Sequence, residues 1–275
     1  IAASALSRQI QNLEHRVGVP LFERKPRGMA LTAAGEIFVR YARAVALETD
    51  RLSDELDELR GIRRGKIRIA TVEGVVADIL IDVMADFRRR HDGVVFDLLI
   101  VGTDHVVAAV REGRVDVGVS FDALPDPAVD FVCRVRDPLL ALVAPGHPLA
   151  EREEVGFSEL LSEPLAVPQG GFGIRRLIDD QCRRLGASLT PALETNSIEA
   201  LRGFARTGAG ISLIPAMSFR RERRLGWVVP LRLREHLLQD ASMDVSVLAG
   251  RRLPSAVTEF LRFLEKALVA ARVTG

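Results

Sequence analysis

Cysteine is scarce in this chain: 275 residues contain two, Cys133 and Cys182. Their separation matches no metal or redox motif, which leaves both as small buried hydrophobes and suits a reducing cytoplasm. The five histidines, His15, His91, His105, His147 and His236, show no ligand spacing, so no metal site is expected. No apolar run reaches the roughly 20 residues of a membrane helix, and no basic-then-apolar leader opens the sequence. Neither a membrane partner nor export is expected. No Gly-x-Ser-x-Gly elbow is present, and Gly170-Gly171-Phe172-Gly173 lacks the Lys-Ser/Thr pair of a phosphate loop. Catalytic residues and cofactors are therefore not expected. Net charge is nearly absent too: 38 Lys and Arg against 37 Asp and Glu leave +1, so any nucleic-acid contact has to be local.

What is present is 48% hydrophobic and 27% charged, enough for one to two domains with proper cores. Residues 1–31 differ from the rest, because Arg8, Arg16, Arg24, Lys25 and Arg27 against Glu14 and Glu23 give +3. Leu6, Ile10, Leu13 and Val17 form one face of a helix. Gly18 and Pro20 stop it. The opposite face carries Ser7, Arg8, Gln11, Asn12 and Arg16, donors that reach base edges or phosphates. Pro26 and Gly28 turn the basic cluster of Arg24, Lys25 and Arg27. A donor-lined helix followed by a basic turn is the footprint of a winged helix-turn-helix.

ALSRQIQNLEHRVGVPLFER, followed by RGMALTAAGE, resembles the recognition helix, wing and linker-helix start of the LysR-type transcriptional regulators. The resemblance implies that Ser4, Ser7, Arg8, Gln11, Arg24, Lys25 and Arg27 meet DNA. In the family two helices precede this one, and Ser-Gln-Pro stands where this sequence has Ala2, Ala3 and Ser4. The residues given begin inside that domain, so they are expected to bind DNA weakly without those helices.

Thr32 is suited to cap the next helix. Leu31, Phe38, Val45, Leu52 and Leu59 then recur every seven residues, with Ala42, Thr49 and Leu56 between them. This heptad seam predicts a long helix that pairs with a second copy. Gly61–Lys66 reads as a hinge. Beyond it strands alternate with helices, which predicts βαβ units and a parallel sheet. The expected fold is α/β: a partial winged helix-turn-helix (1–31), a linker helix (32–61) and a bilobal effector domain like periplasmic binding proteins (62–275). Lobe I is expected over about 66–143 and 250–275, and lobe II over about 144–249. REGRVDVGVSF and FARTGAGISLIP resemble landmarks of the family's two lobes.

Ligands of such folds sit at strand C-termini and helix N-termini. That rule selects Val72, Glu73, Gly74, Gly102, Thr103, Ser120 and Phe121 from lobe I. From lobe II it selects Pro168, Gln169, Asn196 and Ser197, with the loop Gly170–Gly173. Free helix N–H groups favour anions, and the resemblance implies a small metabolite, often a carboxylate. Glu73 stands against this, since it repels an anion unless it points away or Arg175 neutralises it. The expected function is a cytoplasmic, ligand-responsive regulator. Its partners are double-stranded promoter DNA, a small effector, and further copies of itself in a homodimer or homotetramer through the linker helix and effector domains. The alternatives are a transport-type solute-binding protein, for which a basic wing and heptad helix have no purpose, and an α/β enzyme, which lacks a nucleophile or metal motif.

Overall fold

The computed structural model describes residues 3–25, 28–42 and 65–272, together with positions 45, 49 and 52. The chain divides into two compact units, Ile1–Asp54 and Glu55–Gly275.

In the first unit, helix α1 (Ala3–Val17) ends at Gly18, whose φ of +79° suits glycine, and its N–H reaches Glu14 O at 2.8 Å. The Glu14 carboxylate accepts from the N–H groups of Leu21 at 2.7 Å and Phe22 at 3.0 Å. It thereby fixes the start of β1 (Phe22–Lys25), which pairs antiparallel with β2 (Gly28–Leu31) as a two-stranded wing. Ile10 and Leu13 are half-buried, whereas Leu6 and Val17 are exposed. Thr32 caps the next helix as expected, its Oγ1 accepting from Gly35 N–H at 3.0 Å. Residues 33–42 are helical (α2), as are 45, 49 and 52. Leu56, Leu59 and hinge positions 61–64 lie outside the described residues. The remaining hinge positions, Gly65 and Lys66, already belong to a strand.

The second unit opens with β3 (Gly65–Thr71). The first helix after β3 is entered through a 3-10 turn (Glu73–Val75) and a π turn (Val76–Leu80) that lead into α3 (Ile81–Arg90). Next come β4 (Val94–Ile100), α4 (Thr103–Arg111), β5 (Val117–Phe121) and β6 (Val129–Arg136). They are followed by β7 (Leu139–Val143), β8 (Glu154–Val155), α5 (Phe157–Leu160), β9 (Leu165–Pro168) and α6 (Gly173–Leu185). The chain continues through β10 (Leu193–Thr195), α7 (Ile198–Arg206), β11 (Ile211–Pro215), α8 (Arg220–Arg224) and β12 (Val229–Leu233). It closes with α9 (His236–Gln239), β13 (Ser242–Leu248) and α10 (Ser255–Ala271).

Two sheets result, one per lobe: β4-β3-β5-β13-β6 and β10-β9-β11-β7-β12-β8. The expected lobe limits therefore need correction, since β7 joins the second sheet and β13 returns to the first. The cause is local. Asp137 and Pro138 alone separate β6 from β7, and so short a link gives no sign of a change of sheet. The return crossover runs beside the outward one, with Asp137 N–H bonded to Ala241 O at 2.8 Å. α10 packs on the first lobe, where Phe260 meets Phe87 edge-on with ring centroids 5.5 Å apart. Cys182 is buried as expected, but Cys133 is only half-buried, and both are free thiols.

Candidate functional site

Two regions carry the expected site residues. On α1, Ser7, Arg8 and Gln11 are exposed along one side, and Arg24 and Lys25 are exposed on the wing strand. Lys25 pairs with Glu23 at 3.0 Å, a surface contact of small worth that salt screens. Arg27 and the side chain of Ser4 lie outside the described residues.

The second region is the cleft between the lobes, and it is closed. On one side, the hydroxyl of Thr103 donates to Phe121 O at 3.0 Å and accepts from Gly173 N–H, across the cleft, at 3.2 Å. Thr103 therefore does not cap α4. Gly102 holds the cap position, and the threonine side chain joins the lobes instead. Asp104 N–H donates to Gly171 O at 3.2 Å. Arg176 of α6 reaches back to Asp104, at 3.4 Å, and to the carbonyl and carboxylate of Asp122. Asp122 itself is held at φ +49°, and burial pushes its carboxyl above the usual range. On the other side, Glu73 reaches the start of α7, and Arg202 Nη2 donates to Gly74 O at 3.5 Å.

Of the expected ligand residues, Glu73, Gly102, Gln169 and Asn196 line an open cavity of about 260 Å³, together with Gly170, Gly171 and Phe172. Val72, Gly74, Thr103 and Phe121 line an inner gap of only about 10 Å³, room for one water at most. Ser120 is fully buried and lines neither space, and its Oγ has no protein partner. Pro168 is buried, and its carbonyl accepts from Arg175 at 3.2 Å. Ser197 caps α7, accepting from Ala200 N–H at 3.3 Å. Arg175 does not neutralise Glu73, because it is engaged with Asp179 at 2.9 Å and Glu194 at 2.8 Å. Sequence reasoning missed Ile100, Val101 and His105 in the cavity wall, and Arg176, which pairs across the cleft with Asp104 and Asp122. His105 stands two residues beyond Thr103 on the same helix start, which was its one available signal.

The basic run Arg220–Arg224 forms α8 and borders a wider groove of about 1080 Å³ with Arg202, Arg206, Trp227, Asp78 and Glu199. Both signs of charge share its walls, and its arginines are solvated apart from Arg202. Among the described residues there is no cluster of potential metal ligands, and no helix is long and apolar enough to cross a membrane.

Residues 1–36 match the model of bacterial regulatory helix-turn-helix proteins of the lysR family, and residues 60–269 match that of the LysR substrate binding domain. The "Probable nitrogen assimilation transcriptional activator" of Synechococcus elongatus is 30% identical over 217 residues, covering 77% of this chain and 69% of that protein. Among solved structures, full-length OxyR of Pseudomonas aeruginosa superposes with a TM-score of 0.74 at 17% identity, over 98% of this chain and 90% of that one. The Synechocystis CcmR regulatory domain in complex with 2-PG gives 0.66 at 20% identity, over 74% of this chain and 97% of that one. Matching models at both ends of the chain, over a wing-bearing unit and a two-lobed unit, lead to one assignment: the chain belongs to the LysR family of ligand-responsive transcriptional regulators.

Proposed function

We propose that this regulator reads promoter DNA with α1 and the wing, pairs with a second copy through the linker helix, and senses a small metabolite in the cleft. It works without catalysis and in the cytoplasm. The observation that carries the reading is the 260 Å³ cavity, whose walls come from strand ends and helix starts of both lobes. A ligand held by both lobes binds the closed form better than the open one, so it shifts the population between them. A solute-binding protein would share the cleft but has no use for a basic wing.

The experiment is a titration of candidate metabolites against the DNA-bound protein. Asn196 lines the cavity, so Asn196→Ala should weaken the response by about 0.5–1.5 kcal/mol, the worth of one hydrogen bond. Thr103→Ala should act differently, leaving the buried Gly173 N–H without its acceptor and costing about 1–3 kcal/mol of the closed form. A wild-type response in both variants would place the effector elsewhere.

Pairing through the linker helix is supported by its exposed apolar residues, Val45 at 46% and Leu52 at 56%. A dimer presents two recognition helices, and linked binding to two half-sites multiplies affinity. Replacing both residues by Lys should weaken the dimer by about 2 kcal/mol or more, roughly thirtyfold in dissociation constant. Sedimentation showing the same assembly at every concentration would remove the seam from the account.

A further inference from the structure

Glu73 belongs to lobe I and α7 to lobe II, yet the Glu73 carboxylate sits on the first turn of α7. It accepts from Ile198 N–H at 2.6 Å and from Glu199 N–H at 3.3 Å, and it lies 3.3 Å from Ser197 Oγ. The next amide, that of Ala200, is taken by Ser197 Oγ at 3.3 Å. A helix start offers unpaired N–H groups and the positive end of the helix dipole, the combination that holds an anion. Here the chain's own carboxylate fills it. The open cavity beside it is walled by Glu73, His105, Gln169 and Asn196, and neither Arg nor Lys lines it. The guanidinium of Arg175 is committed to Asp179 and Glu194.

We propose that Glu73 is the built-in occupant of an anion site at the start of α7 and thereby a specificity determinant of the cleft. An incoming carboxylate meets a fixed negative charge and finds the α7 amides already satisfied. This end of the cavity therefore takes the hydroxyl- or amine-bearing part of an effector, whose donors can reach the outer edge of Glu73, and excludes its carboxylate. The proposal rests on the cleft being the effector site.

The test uses the full chain without DNA and without an effector, so its failure is separable from failure of the regulator reading. Sodium acetate is titrated at constant ionic strength into wild type, Glu73→Ala and Glu73→Gln, while the backbone amide resonances of Ile198 and Glu199 are followed. Removing the carboxylate vacates the site, so acetate should shift both resonances saturably in Glu73→Ala. Its apparent affinity there should be at least tenfold that in wild type, where chloride and acetate should act alike. Glu73→Gln keeps the side chain's volume and drops its charge; it should give an intermediate affinity and serves alone if the alanine variant does not fold. Acetate shifting these amides equally in wild type and variants, or in none of them, overturns the proposal.

Discussion

Replacing Asp137 by Asn is expected to raise the stability of the effector unit at pH 8 and to flatten its dependence on pH. Asp137 lies in the outward crossover between the lobes and is fully buried. Its Oδ1 accepts from Met217 N–H at 2.9 Å, while Oδ2 has no protein partner. Desolvation pushes its carboxyl up to about 7, against the smaller lowering effect of hydrogen bonds from the Met217 and Ala216 amides. The unfolded chain titrates near 3.9. Between about pH 4 and pH 7 the folded state holds a proton that the unfolded state has released, so stability falls as pH rises through this window and the loss is complete above it. Three pH units correspond to about 4 kcal/mol. Asn keeps the acceptor for Met217 and cannot ionise. Thermal unfolding of the two proteins should therefore agree near pH 4 and diverge steadily, with the variant melting about 8–16 °C higher at pH 8. Parallel profiles from pH 4 to pH 8 would show that Asp137 is not the titrating group.

Gly173→Ala should prevent the lobes from closing as they do here. Gly173 is the first residue of α6, and a Cβ on it would lie 2.0 Å from Phe121 O and 3.2 Å from Thr103 Oγ1, both in the opposite lobe. The nearer atom is backbone at the end of β5, so it cannot rotate aside and the lobes have to separate. Separation also breaks the Thr103–Gly173 hydrogen bond that spans the cleft. Overpacking costs about 1–3 kcal/mol and the stranded amide a similar amount. Together they should lower effector affinity by about a hundredfold, with DNA binding in the absence of effector unchanged. Gly146→Ala, outside the cavity wall, is the control, because a Cβ there meets nothing within 4 Å. Small-angle scattering of Gly173→Ala should report a more extended effector unit, and an effector response equal to that of the control would disprove the steric account.

Local pattern made much of this molecule legible in advance. The apolar spacing of Leu6, Ile10 and Leu13, closed by Gly18, located α1, and Thr32 marked the start of α2, because caps and periodicity are written within one or two turns of chain. The same rule of strand ends and helix starts led to Glu73, Gly102, Gln169 and Asn196, which one cavity brings together. Partner choice was beyond that reach. Nothing near Thr103 indicates that its hydroxyl serves Gly173, 70 positions away, and nothing near Glu73 indicates that its carboxylate serves α7, 125 positions away at Ile198. The two strands flanking Asp137 are only two residues apart in sequence and lie in different sheets. Local pattern located most of the longer helices and strands, the basic front and the family resemblance, while the short elements β8, α5, α8 and α9 left no such pattern. The tertiary structure alone decided which strand joins which sheet and which polar group satisfies which across the cleft, because buried donors and acceptors find partners by proximity in space and must find them to offset desolvation.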